Sequence, residues 1–227
     1  ALNIPLVDDP IFEGDETLVV NLKSVNGGGS LIDSLRRQAV MIIKDDDQLK
    51  PNPLESHIKA GSQARDKLVE DIITTLRSEG IDARSVQQGV VTISGKGLFA
   101  SGRSDLDSVE SATRKVDIIG RTLAASIECF TLSAISRGHN NECNPDKVFL
   151  ESVFVEGHTD NIQVTRTLLD GSKTNLELSS RRATNTYERM VGSESKLTEF
   201  INPNDQQILS VAAYGEQRPI DDNRTAQ

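Results

Sequence analysis

The chain has 227 residues, 36% of them hydrophobic and 26% charged, enough to bury one sizeable core and leave room for a second, smaller unit. Its formal net charge of -9 and pI near 4.9 supply no basic patch for a phosphate backbone, so nucleic acid is not expected as a partner. No run of about 18 apolar residues is present to span a bilayer, and the chain opens at Ala1 without the basic and apolar regions of a signal peptide. An export signal or membrane anchor is therefore expected outside these residues.

The charge is uneven. Residues 1–47 hold nine acidic and four basic side chains, a balance of -5, while residues 48–227 hold 25 and 21, a balance of -4. The same front segment reads as strands at Asn3–Val7, Thr17–Leu22 and Gln38–Ile43, separated by glycine-rich or polar turns. Residues 48–55 carry Pro51 and Pro53 without apolar periodicity, as a linker would. From Ser56 to Glu79, Val69, Ile72, Ile73 and Leu76 recur at helical spacing, and Gly80 follows where a helix C-terminus favours it.

Strand and helix then alternate. Gly89–Ser94 is a β-branched strand, and Ser108–Ile127 a second helix with Val109, Ala112, Val116, Ile119 and Leu123 on one stripe. Thr131–Asp146 is polar, contains Gly138 and Pro145, and reads as an insertion. Val148–Val155 is nearly all apolar, which suits a strand buried on both faces, and it runs into Gly157-His158-Thr159-Asp160-Asn161. Thr174 and Glu177 have capping-box spacing, so a third helix is expected from Asn175 to about Met190, followed by a short strand at Ile208–Ala213.

On that third helix Asn175, Leu178 or Ser179, and Arg182 are spaced to share one face. If the helix packs beside the strand ending at Asp160, a carboxylate and a guanidinium border one site and can grip a zwitterion from both ends. Arginine suits the carboxylate end because its fork is bidentate. His158 beside Asp160 could be a catalytic or metal residue, but neither a nucleophile nor a second ligand accompanies it. With no paired catalytic carboxylates, Cys–His arrangement or HExxH motif, no enzyme is expected.

Gly157-His158-Thr159-Asp160-Asn161, followed by Asn175-Leu176-Glu177-Leu178-Ser179-Ser180-Arg181-Arg182-Ala183, resembles the signature of OmpA/MotB-type C-terminal domains. Leu98-Phe99-Ala100-Ser101-Gly102 and Ala213-Tyr214-Gly215-Glu216-Gln217-Arg218-Pro219 resemble two further segments of that family, in the right order. The resemblance covers residues 56–227. It implies an α/β fold, an α+β sandwich of mixed sheet with helices packed on it. It further implies non-covalent binding of peptidoglycan through the zwitterionic end of diaminopimelate in the stem peptide. By motif, Asp160 would hold the ammonium and Arg182 the carboxylate, with Asn175 and Thr159 lining the same pocket and Arg181 facing solvent.

The extra residues Ile162–Thr174 bring the spacing closer to the MotB-like branch, so a stator subunit anchoring a motor to the wall is the alternative to a surface-protein anchor. The family continues past a segment like Asp222-Asn223-Arg224-Thr225 into a last strand, which is expected beyond Gln227. Either reading places the protein in the periplasm or envelope of a Gram-negative bacterium.

Asp8-Asp9-Pro10-Ile11-Phe12-Glu13-Gly14-Asp15-Glu16-Thr17 and Ile43-Lys44-Asp45-Asp46-Asp47 resemble the second half of a Calx-beta domain, a partial all-β sandwich over residues 1–47. That resemblance implies calcium at Asp8, Asp9, Glu13, Glu16, Asp45, Asp46 and Asp47 with the Ile11 carbonyl, or else a spacer with no ion. Together the two resemblances describe a piece of a longer adhesin or spacer array tethered to the wall or outer membrane. An oxidising envelope would favour a disulfide between Cys129 and Cys143. The rival is zinc, for which His139 and the two cysteines supply only three ligands.

Overall fold

A computed structural model describes residues 5, 7, 9, 11–23, 37–47, 52–133 and 143–219. Two compact units are distinguished, Ala1–Ser56 and His57–Gln227. In the first, β1 (Glu16–Asn21) and β2 (Gln38–Ile43) form an antiparallel ribbon with Val19 opposite Val40 and Leu18 opposite Met41. Pro5 and Val7 lie outside any strand, and the rest of the strand expected at 3–7 falls outside the described residues.

Helix α1 runs from Pro53 to Ser78, so the linker expected at 48–55 ends three residues early. Proline is preorganised for a first helical position, and the Asn52 side chain accepts from Leu54 N at 3.0 Å. At the other end Gly80 takes φ +77°. Its N–H donates to Arg77 O at 3.0 Å while Ile81 N donates to Leu76 O at 2.9 Å, a Schellman stop that turns Ile81 back into the core. Leu68, Ile72 and Leu76 form the buried stripe of the helix.

Strands β3 (Ala83–Arg84) and β4 (Thr92–Ile93) make a short antiparallel pair. The strand expected at 89–94 shrinks to two residues because Val90 N turns back onto Gln87 O and Gly97 N onto Ser94 O. Helix α2 (Ala112–Ile127) is buried on more than the expected stripe, with Ile118, Gly120, Thr122 and Ala124 joining Ala112, Val116 and Ile127. Its Gly120 lies against Met190, where an added Cβ would come within 3.4 Å of backbone.

Strand β5 (Leu132–Ser133) opens the polar insertion and pairs with β7 (Phe200–Ile201). Cys129 and Cys143 are joined as a disulfide with Cα atoms 5.9 Å apart. His139, the third ligand of the zinc alternative, lies outside the described residues, as do Asp222 to Thr225.

Strand β6 (Val153–His158) begins five residues later than the apolar run suggested. It is also not buried on both faces, since it alternates and Phe154 is 52% exposed. It pairs in parallel with β8 (Leu209–Gly215), and helix α3 (Asn175–Ser193) forms the crossover between them. The described residues are thus mixed α and β. Their strands form two-stranded pairs, where the resemblance implied one mixed sheet.

Helix α3 packs very close to β6. A Cβ on Gly157 would fall 2.0 Å from Ser179 O and 3.1 Å from the Ala183 methyl, so only glycine admits this approach. Ser179, fully buried, completes the junction by donating to Leu176 O at 2.9 Å and accepting from Gly215 N at 3.0 Å. The crossover is thereby fixed to both strands of the pair.

Candidate functional site

The end of β6 and the first two turns of α3 meet at this junction. Thr159 N continues the ladder to Gly215 O at 2.9 Å, and Asp160 turns the chain by accepting from Ile162 N at 3.1 Å. Helix α3 starts where the sequence places it: Thr174 Oγ1 accepts from Glu177 N at 3.1 Å. The reciprocal arm differs, because the Glu177 carboxylate takes Lys173 N at 2.6 Å.

Asn175 is 7% exposed, and its Nδ2 donates to Ile162 O at 3.0 Å and to the Glu216 carboxylate. It therefore ties the turn after Asp160 to the segment after β8, and acts first as a positioning residue. Thr159 Oγ1 is shielded from water with no hydrogen-bond partner among the described residues.

Arg182, one turn beyond Ser179, is half-buried. Its Nε donates to Arg103 O at 2.8 Å and its Nη2 to Ala100 O at 3.3 Å, and its guanidinium lies 5.2 Å from the centre of the Phe99 ring. None of the described carboxylates forms an ion pair with it. Burial disfavours its charge, an effect that Asp160 and Asp170 partly offset. Among the described residues no direct salt bridge joins Asp160 to Arg182.

Sequence reasoning did not single out three neighbours. Phe99 belongs to the Leu98–Gly102 motif. Arg103 sits directly after that motif and pairs with Asp105 through two bonds of 2.8 and 3.0 Å, a pairing that the Arg-x-Asp spacing could have suggested. Asp170 sits in the Ile162–Thr174 segment, where Asp170-Gly171 signals a turn but not its destination. Arg181 is exposed.

His158 faces two acceptors, Arg218 O at 3.0 Å from Nδ1 and Glu156 at 3.5 Å from Nε2, and stacks on Tyr214 at 5.4 Å between centroids. Its ring is engaged in the β6–β8 junction.

In the acidic front, carboxylates accept neighbouring backbone N–H groups. Asp45 accepts the N–H groups of Glu13 and Gly14, at 2.6 and 2.5 Å, and of Asp47 at 2.9 Å. Those bonds hold its carboxyl below the usual range. Asp9 accepts from Ile11 N at 2.9 Å, and Lys44 pairs with Asp15. Among the described residues no three acidic, histidine or cysteine side chains converge to hold a metal ion, Glu16 and Asp46 included. Asp8 lies outside the described residues.

Two hollows lie elsewhere. One of about 400 Å³ is floored by Val69 and Ile73, and one of about 420 Å³ lies beside the disulfide. Neither includes Asp160, Arg182 or Asp170.

No protein-family model matches the sequence, and no curated protein is similar to it. Solved structures similar to the chain include the following two. A MotB-like protein from Desulfovibrio vulgaris has 21% identity and a TM-score of 0.46, covering 77% of this chain and 89% of its own. The cell wall anchor of the T6SS from Pseudomonas aeruginosa has 17% identity and a TM-score of 0.43, covering 71% and 88%. Likenesses of this degree carry no weight for function. None of the described helices is long and apolar enough to cross a membrane.

Proposed function

We propose that residues 57–227 bind peptidoglycan without catalysis, gripping the amino-acid end of diaminopimelate in the stem peptide and so anchoring a longer envelope protein to the cell wall. The observation that supports this most is Arg182, a half-buried guanidinium held by two backbone carbonyls and in no ion pair with a described carboxylate. Burial disfavours its charge, and a ligand carboxylate would offset that through N–H groups beyond those given to the carbonyls of Ala100 and Arg103. Asp160 is the matching group for the ligand's ammonium. Thr159, the residue before it, has an Oγ1 with no hydrogen-bond partner among the described residues.

The experiment is co-sedimentation with purified diaminopimelate-type walls. Unmodified protein should pellet with the wall and Asp160→Ala should not. Removing one partner of a desolvated charge pair typically costs about 2–5 kcal/mol, enough to erase a modest affinity. Arg181→Ala, one residue from the site but exposed, should pellet normally. Equal sedimentation of Asp160→Ala and unmodified protein would refute the assignment.

A further inference from the structure

The turn that ends β8 places a carboxylate against the first residue of α3. Gln217 N donates to Tyr214 O at 3.0 Å and closes the turn, and Gly215 within it takes φ +56°. The turn lies on the start of the helix. Gly215 N donates to the buried Ser179 Oγ at 3.0 Å, and a Cβ on Gly215 would fall 3.1 Å from Leu176 N. Glu216, the next residue, is exposed as a whole, yet one of its carboxylate oxygens accepts from Asn175 Nδ2.

From that bond a continuous chain of contacts runs to Asp160. An amide nitrogen has two hydrogens to give. Asn175 Nδ2 gives them to Glu216 and, at 3.0 Å, to Ile162 O, with Asp160 O a marginal third acceptor at 3.5 Å. Ile162 N in turn donates to the Asp160 carboxylate at 3.1 Å. The amide of Asn175, a buried residue, thus fastens the turn carrying Asp160 to α3, and Glu216 orients that amide.

We propose that Glu216 is a positioning residue of this site: by fixing the Asn175 amide it holds the turn that carries Asp160, and so sets the carboxylate that meets a ligand's ammonium. This inference rests on the proposed binding of an amino-acid end. Without Glu216 one N–H of Asn175 loses its acceptor, the amide is free to turn away, and its hold on Ile162 weakens. The role needs an acceptor oxygen and not a charge, so glutamine serves where alanine does not. Its effect belongs to the ammonium end, because Arg182 is held separately by the carbonyls of Ala100 and Arg103.

The test is calorimetric titration of the unmodified protein, Glu216→Ala and Glu216→Gln with two synthetic stem tripeptides ending in meso-diaminopimelate. One carries the side-chain amine free and the other carries it acetylated, which removes the charge that Asp160 would meet. Glu216→Ala should bind the free-amine peptide roughly tenfold more weakly than the unmodified protein, the order expected when a hydrogen bond to a charged group is lost. Glu216→Gln should bind it within about twofold of the unmodified protein. The acetylated peptide should bind all three proteins equally weakly. No loss in Glu216→Ala, an equal loss for both peptides, or the same loss in Glu216→Gln would overturn this role while leaving the proposed binding intact. If the free-amine peptide does not bind the unmodified protein, the proposed function fails and this inference falls with it.

Discussion

Gly157→Ala is the substitution from which the structure predicts the largest single effect. The added methyl carbon would sit 2.0 Å from Ser179 O and 2.8 Å from Ser179 C, both backbone atoms of a helix that cannot rotate away as a side chain would. A normal carbon–oxygen contact is above 3 Å, so α3 must retreat by more than 1 Å along much of its contact with β6. Overpacking of this kind typically costs 1–3 kcal/mol and more when backbone is the obstacle, so about 3 kcal/mol is expected. For a unit of this size that lowers the melting temperature by roughly 6–12 °C. Gly192, on the same helix, is the control: nothing lies within 4 Å of its would-be Cβ. Gly192→Ala should stabilise by about 0.5–1 kcal/mol, because alanine loses less entropy in a helix. Calorimetric melting of the three proteins checks both signs. If Gly157→Ala melts within 2 °C of the unmodified chain, the close approach of α3 to β6 is wrong.

Three further outcomes follow from the same contacts. Ser179→Ala removes the acceptor for the buried Gly215 N–H and should cost about 1–3 kcal/mol by urea unfolding. Thiol titration of the denatured, unreduced protein should find no free cysteine. Reduction should destabilise by about 3 kcal/mol for a loop closed across a separation of 14. Asp117 joins α2 to α3 through Arg189, whose hydrogen bonds hold its carboxyl below the unfolded value near 3.9. The stability it adds is therefore present above about pH 4 and lost as pH falls through the lower folded value. Asp117→Asn should be less stable by about 0.5–1 kcal/mol at pH 6, with the gap closing below pH 4.

Helix α3 was legible because its signals are local. Thr174 and Glu177 fix its start through a cap that spans three residues, and the stripe of Asn175, Ser179 and Arg182 follows from helical spacing alone. Strand β2 matched its expected bounds for the same reason. The apolar run at 148–155 misled because loop contacts claim its first half. Asn144, 2% exposed, bonds both Val148 N and Val148 O, and Leu150 N donates to Phe130 O, leaving only the residues from Val153 for β6. The site was half legible. Asp160 and Arg182 could be read from motif and spacing, but the carbonyls that hold Arg182 lie 79 and 82 residues away in sequence, and no local rule points to them. Asp170 was missed because an Asp-Gly pair announces a turn without saying what the turn packs against.

Arg182→Ala would be an ambiguous test of the central claim, since that side chain also fastens α3 to Ala100 and Arg103. Varying the ligand avoids the difficulty. Titrating the unmodified protein with stem tripeptides that end in meso-diaminopimelate or in lysine compares two ligands sharing the side-chain ammonium but not the carboxylate beside it. Pairing of Arg182 with that carboxylate predicts that the diaminopimelate peptide binds at least tenfold more tightly, about 1.4 kcal/mol or more. Equal affinity for the two peptides would contradict it.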